Sequence, residues 1–167
     1  SLSAKLEEMG VGVEEYDEAI RVFTDGRRLK RTNIKTQPYP GFPTDLQPQM
    51  LTLLTIAEGT SLVTENVWDN RFKYVDELNR MGAHISVDGR VAAVEGCDHL
   101  AGSPVHATDL RAGAALVIAG LMAHGVTEIY NLKYIDRGYE DFEAKLRSIG
   151  AQIARRNIDK ELHTSAV

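Results

Sequence analysis

Two stretches of the chain carry the strongest helical period. Leu46, Met50, Leu53, Leu54 and Ala57 share one face of a helix over 45–57, and Leu110, Ala114, Val117, Ile118 and Leu121 share one face of a helix over 108–123. Gly59 and Gly125 close them. Weaker versions of the pattern predict helices over 71–80, with Phe72, Val75 and Leu78 inward and Gly82 as the stop, and over 139–149, with Gly150 as the stop. Residues 5–10 read as the last turns of another helix ended by Gly10. Between the helices, β-prone runs predict strands over 61–65, 127–131 and 151–154, a strand start over 11–15, and a hairpin of 83–87 with 91–95 around Asp88-Gly89. Runs 20–23 and 31–34 flank a second turn signal, Asp25-Gly26. Residues 66–70 and 132–136 read as loops, and 157–167 as a polar tail.

The pattern repeats. Thr44-Asp45-Leu46 returns as Thr108-Asp109-Leu110, Asn70-Arg71 as Asp136-Arg137, and Met81-Gly82-Ala83 as Ile149-Gly150-Ala151, at separations of 64, 66 and 68 residues. Met9-Gly10-Val11 is a third copy of the last of these. The chain is therefore an α/β protein built on a unit of helix, strand, loop, helix, strand and hairpin. It divides into a truncated unit over 1–37, a full unit over 38–107, and a unit lacking its hairpin over 108–156, followed by the tail. Repetition of this kind implies repeated packing before it implies any function.

Composition changes this picture little. With 167 residues, 43% hydrophobic and 26% charged, the chain is the size of one domain with a real core. A net charge of −5 gives no support for nucleic-acid binding, so any cationic site is local. One cysteine, Cys97, excludes an intrachain disulfide framework and points to the cytoplasm. The longest uncharged apolar run, over 112–123, is twelve residues against the ~20 a membrane span needs.

The chemically informative feature is the placement of arginine. Arg71, Arg111 and Arg137 each fall in the predicted first turn of a helix, where the macrodipole disfavours a cation by about 0.3–1 kcal/mol. Asn70, Asp109 and Asp136 precede them as capping residues. Singly, each arginine reads as a solvated or locally paired side chain. Three such arginines together point instead to an anion site, because helix N-termini and guanidinium forks both suit carboxylate and phosphate groups. Asp45 and Asp109 carry a similar ambiguity between cap and base, although a stiff turn, Pro40-Gly41-Phe42-Pro43, delivers Asp45 alone. A carboxylate among arginines stays ionised near neutral pH and acts as a base by position. Cys97, Asp98, His99 and His106 fit no standard zinc spacing, and no metal or cofactor is expected.

These residues resemble one family, the bacterial UDP-N-acetylglucosamine enolpyruvyl transferases (1-carboxyvinyltransferases). The resemblance runs over about 5–156. It rests on Pro38-Tyr39-Pro40-Gly41-Phe42-Pro43-Thr44-Asp45-Leu46-Gln47, Ala57-Glu58-Gly59-Thr60, Thr64-Glu65-Asn66-Val67, Asn70-Arg71-Phe72, Arg80-Met81-Gly82-Ala83, Ala107-Thr108-Asp109-Leu110-Arg111-Ala112 and Ile135-Asp136-Arg137-Gly138-Tyr139. It implies part of an inside-out α/β barrel, two such domains making one enzyme with its site between them. It also implies transfer of enolpyruvate from phosphoenolpyruvate to the 3-hydroxyl of UDP-N-acetylglucosamine, in peptidoglycan synthesis and hence cell-wall biogenesis. By the same resemblance Asp45 contacts the sugar hydroxyl as its base, and Val67 makes a main-chain contact to the nucleotide sugar. Arg71, Arg111 and Arg137 surround the enolpyruvyl and phosphate groups, with Asp109 as their acidic partner.

The family's catalytic cysteine loop has no match here, and Cys97, in Val94-Glu95-Gly96-Cys97-Asp98, does not take its place. The chain is therefore expected to be part of a longer enzyme, inactive alone, completed by the missing domain, and open to self-association through exposed barrel edges. The alternative is a non-catalytic nucleotide-sugar or anion-binding module of the same fold. Neither nucleic acid nor membrane is an expected partner.

Overall fold

The computed structural model describes residues 1–158, which hold three small sheets and two long helices packed on each other. Helix α1 (Leu2–Glu8) leads into β1 (Gly12–Glu15) and β2 (Ile20–Phe23), an antiparallel hairpin. The central sheet has the order β3-β4-β6-β5, from β3 (Ile34–Lys35), β4 (Thr60–Thr64), β5 (His84–Asp88) and β6 (Val91–Glu95). Strands β7 (Pro104–His106) and β8 (Glu128–Tyr130) form the third. The helices are α2 (Gln47–Leu54), entered through a 3-10 turn at Thr44–Leu46, then α3 (Val75–Arg80), α4 (Leu110–Met122), α5 (Lys133–Asp136) and α6 (Phe142–Ser148). None of the described helices is long and apolar enough to cross a membrane.

The repeat is legible in the backbone hydrogen bonds. After α1, α3 and α6 the chain closes in the same way: Gly10, Gly82 and Gly150 donate to Glu7, Asn79 and Arg147, and Val11, Ala83 and Ala151 reach back to Leu6, Leu78 and Leu146. The three glycines have φ of 91°, 93° and 101°, the left-handed conformation this closure requires. Parallel strand pairs match as well: Ile34 lies opposite Val63 in β3/β4 as Val105 lies opposite Ile129 in β7/β8. Lys30 N–H bonds to the Met9 carbonyl at 2.9 Å, and Ala101 N–H to that of Met81 at 2.7 Å.

Helices α2 and α4 pack on each other and supply the core, with Leu51, Leu54, Ala57, Ala115, Leu116 and Ala119 all fully buried. The expected inner stripe of α4 is shifted. Its buried positions are Ala112, Gly113, Ala114, Ala115, Leu116, Val117 and Ala119, whereas Leu121 is 42% exposed. Small side chains on that face let α2 come close, so proximity rather than side-chain bulk decides which face is inside.

Four expectations about elements fail. Residues 20–23 do not pair with 31–34 across Asp25-Gly26; they pair with β1, while Ile34–Lys35 joins β4 in parallel. The helix expected from 71 starts at Val75, and residues 71–74 form turns. Residues 133–136, expected as loop, form α5. Residues 151–154 are not a strand; side chains hold the segment, as Arg147 donates to the Ile153 carbonyl at 3.1 Å. Strand β7 was not anticipated. Of the polar tail over 157–167, residues 159–167 lie outside the described residues.

Candidate active site

The site begins at the proline turn. Thr36 N–H bonds to the Thr64 carbonyl at 2.9 Å and Gln37 N–H to that of Phe42 at 3.0 Å, closing a loop over 37–42 on the end of β4. Gly41 permits that closure, since a Cβ there would stand 2.5 Å from the Gln37 Cβ. Buried Phe42 anchors the loop, and Pro43, extended at ψ 136°, turns the chain into the 3-10 turn that carries Asp45. No side-chain cap bonds are made at the starts of the 3-10 turn and α2, so Asp45 is not a capping residue there. Its carboxylate, 62% exposed, instead accepts a hydrogen bond from Nε of Arg111.

Asp109 behaves as the cap that Asp45 is not. Extended at φ −158°, it accepts the amides of Arg111 and Ala112 at 2.9 and 3.0 Å and so starts α4. Arg111 therefore sits in the first turn of a helix as expected, and two carboxylates offset the unfavourable dipole: Asp109 on its amide and Asp45 on its guanidinium. In this arrangement the carboxylate bonded to the guanidinium is that of Asp45, while Asp109 is committed to the helix end.

Arg71 lies outside any helix start, in the turns before α3. Asn70 is at φ 56° rather than in a capping conformation. The guanidinium stands 5.5 Å from the centre of the Trp68 ring, a cation–π arrangement, and Trp68 is itself 56% exposed. Val67 has its N–H bonded to Oε1 of Glu65 at 2.9 Å. Its carbonyl accepts no hydrogen bond among the described residues.

Arg137 is not at a helix start either: it ends α5. Asp136, expected as a cap, receives Arg155 at 2.7 and 2.9 Å, and Arg155 also reaches Glu143 at 2.9 Å. Arg155 holds both carboxyls below their usual range through these hydrogen bonds. Arg137 is exposed and makes no ion pair among the described residues. Its neighbour Gly138 lies against the Leu110 side chain, where a Cβ would stand 2.5 Å from the Leu110 Cδ2. Arg137 thus adjoins the same end of α4 as Arg111.

Two buried groups beneath these side chains were not singled out from the sequence. Glu65, 1% exposed, collects donors from two loops. Tyr74, 2% exposed, donates to Gln47; burial, and then the charges of Glu65 and Asp109, push its phenol well above the usual range. A carboxylate buried in a core was the available signal, but burial is invisible until the fold is known. Cys97, Asp98, His99 and His106 do not converge: Asp98 pairs with Arg28, His99 stacks on His124 and His106 on Tyr130. Among the described residues no group of three or more His, Cys, Asp or Glu is placed to hold a metal.

The described residues thus join a repeated α/β unit to one aspartate–arginine pair, Asp45 with Arg111, at the capped start of α4. The sequence pattern of EPSP synthase (3-phosphoshikimate 1-carboxyvinyltransferase) matches residues 1–146, and the chain belongs to that family. Within it the chain is similar to UDP-N-acetylglucosamine 1-carboxyvinyltransferases. It is 57% identical over 155 residues to UDP-N-acetylglucosamine 1-carboxyvinyltransferase 3 of Caldanaerobacter subterraneus subsp. tengcongensis, covering 93% of this chain and 37% of that protein. It is 58% identical, with the same coverage of each, to the Clostridium botulinum protein of that name. Among solved structures it resembles the enolpyruvyl transferase NikO from Streptomyces tendae, with a TM-score of 0.83, 32% identity, and coverage of 92% of this chain and 35% of that one. The fold is that of the enolpyruvyl transferases, present in part: the chain spans 37% of the length of these curated relatives.

Proposed function

We propose that this chain is the later part of an enzyme transferring enolpyruvate from phosphoenolpyruvate to the 3-hydroxyl of UDP-N-acetylglucosamine, with release of phosphate, in peptidoglycan synthesis in the cytoplasm. The observation that carries the proposal is the Asp45–Arg111 pair at the capped start of α4. One carboxylate and one guanidinium, brought from units 66 residues apart, stand together at the surface. Asp45 takes the proton of the sugar hydroxyl as it attacks. Arg111, Arg71 and Arg137 bind the carboxylate and phosphate of phosphoenolpyruvate, Arg137 on that substrate itself. Asp109 holds Arg111 in register, and the Val67 carbonyl holds the nucleotide sugar.

The repeat divides the chain into units over 1–37, 38–107 and 108–156, and the rest of the same enzyme is its principal partner. Strand β2 supports that reading. Ile20 and Val22 are 58% and 55% exposed, whereas Ala92 and Val94, their counterparts in β6, are fully buried beside β4. In isolation the bare β2 edge favours self-association. The test is phosphate release from the two substrates: the complete enzyme turns over, and this chain alone does not. Turnover by the chain alone would overturn the claim that it holds half a site. Tight calorimetric binding of the nucleotide sugar to the isolated chain would favour a binding module.

A further inference from the structure

Glu65 is the least explained charge in the molecule. It is 1% exposed and makes no ion pair among the described residues. Four donors satisfy it instead: Oε1 accepts the Thr36 hydroxyl at 2.7 Å and the Val67 and Trp68 amides at 2.9 and 3.2 Å, and Oε2 accepts the Thr44 hydroxyl at 2.9 Å. Thr36 continues the network by accepting the Asn66 amide at 2.9 Å. Burying an unpaired carboxylate is costly, and well-packed apolar side chains often serve stability as well or better. What an apolar residue cannot do is tie the Thr44 hydroxyl to the Val67 and Trp68 amides and so fix the spacing of the two loops. One loop ends at Thr44, the residue before Asp45; the other carries Val67.

We infer that Glu65 is a positioning residue, whose buried carboxylate sets the distance between the Asp45 base and the Val67 main chain and so orients the sugar hydroxyl toward Asp45. The inference rests on the function proposed above. Each oxygen has its own task. Oε2, through Thr44, governs Asp45 and hence turnover, whereas Oε1, through the two amides, governs the grip on the nucleotide sugar. Arg111 and Arg137 are set by α4 and α5, whereas the Trp68 ring beside Arg71 shares the Glu65 network, so Glu65 bears less on phosphoenolpyruvate than on the nucleotide sugar.

The experiment uses the complete enzyme carrying this segment, with Glu65→Met, Glu65→Gln and Thr44→Val, reading kcat and KM for each substrate. Misplacing a reacting group by about 1 Å can cost ~10²-fold. Glu65→Met is expected to lower kcat/KM for UDP-N-acetylglucosamine by roughly that factor, through both constants, with KM for phosphoenolpyruvate within about twofold. Glu65→Gln, which still accepts the two amides and can donate to Thr44, recovers most of the loss. Thr44→Val lowers kcat by about tenfold, the scale of one hydrogen bond, and leaves both KM values in place. A merely structural role predicts lower thermal stability with unchanged constants, or equal effects on both substrates, and either result overturns the proposal. Should Glu65→Met fail to fold, Thr44→Val decides alone: a change in KM rather than kcat is fatal. A complete enzyme that releases no phosphate from this substrate pair overturns the functional reading itself, a failure visible before any Glu65 variant is made.

Discussion

The triplets Thr44-Asp45-Leu46 and Thr108-Asp109-Leu110 are the same three residues at equivalent points of the repeat, yet they do different things. Asp109 turns its carboxylate onto the amides of its own helix, with Arg111 and Ala112 at 2.9 and 3.0 Å. Asp45 caps nothing and faces Arg111 across the gap between units. The divergence comes from the residues before each triplet. A closed proline loop and a 3-10 turn displace Asp45 from the capping position, whereas a single residue, Ala107, separates Thr108 from β7. A repeat therefore keeps the scaffold and frees one copy of a residue for chemistry.

Asp45→Ala in the complete enzyme should cost about 10²–10⁴-fold in turnover, the usual scale for a general base. Its thermal stability should move little, since an exposed side chain that caps nothing contributes within about 0.5 kcal/mol. Turnover within a few-fold of the unaltered enzyme would remove Asp45 from the chemistry. Arg111→Lys keeps the charge but loses the planar fork, and should cost about ten- to a hundredfold in kcat/KM for phosphoenolpyruvate. An unchanged value would take Arg111 out of the anion site.

Asp109→Ala should reverse the pattern seen at Asp45. Loss of the cap costs about 0.5–2 kcal/mol of stability, read by denaturant unfolding, and Asp109→Asn should restore most of it. Were Asp45→Ala the more destabilising of the two, the division of labour would be wrong.

The smallest effect lies at Asp136 and Glu143. Arg155 lowers both carboxyls, first through its hydrogen bonds, from ordinary values of 3.8 and 4.5. A carboxyl depressed in the folded state adds stability that is complete above its unfolded value and is lost as pH falls through the folded one. Unfolding midpoints should therefore drop below about pH 4, and Arg155→Ala should flatten that acid limb. The change stays under about 1 kcal/mol because the Asp136 and Arg155 side chains are 44% and 42% exposed.

Where the signal was local, the sequence was readable. The hairpin over β5 and β6 follows from Asp88-Gly89, and the three helix closures follow from Gly10, Gly82 and Gly150, because a left-handed residue is a demand on one position. Helix α4 follows from its period and from Asp109. The failures are strand pairings and the bounds of short helices. Residues 20–23 took β1 rather than 31–34, and the three residues of β7 became a strand only because β8 returns beside them across α4. The start of α3 moved four residues inward, and with it Arg71 left the helix start it had been given.

The repeat, the α/β class, the family and the candidate side chains Asp45, Val67, Arg71, Asp109, Arg111 and Arg137 were legible in the amino-acid order. Those are matters of period, turn chemistry and motif, which a chain carries in one dimension. Folding makes Asp45 a partner of Arg111 rather than a cap, brings Gly138 against Leu110 at the start of α4, and buries Glu65 where two loops meet. The reason is physical. The worth of a charge depends on what desolvates it and what donates to it, and both are set by segments distant in the chain.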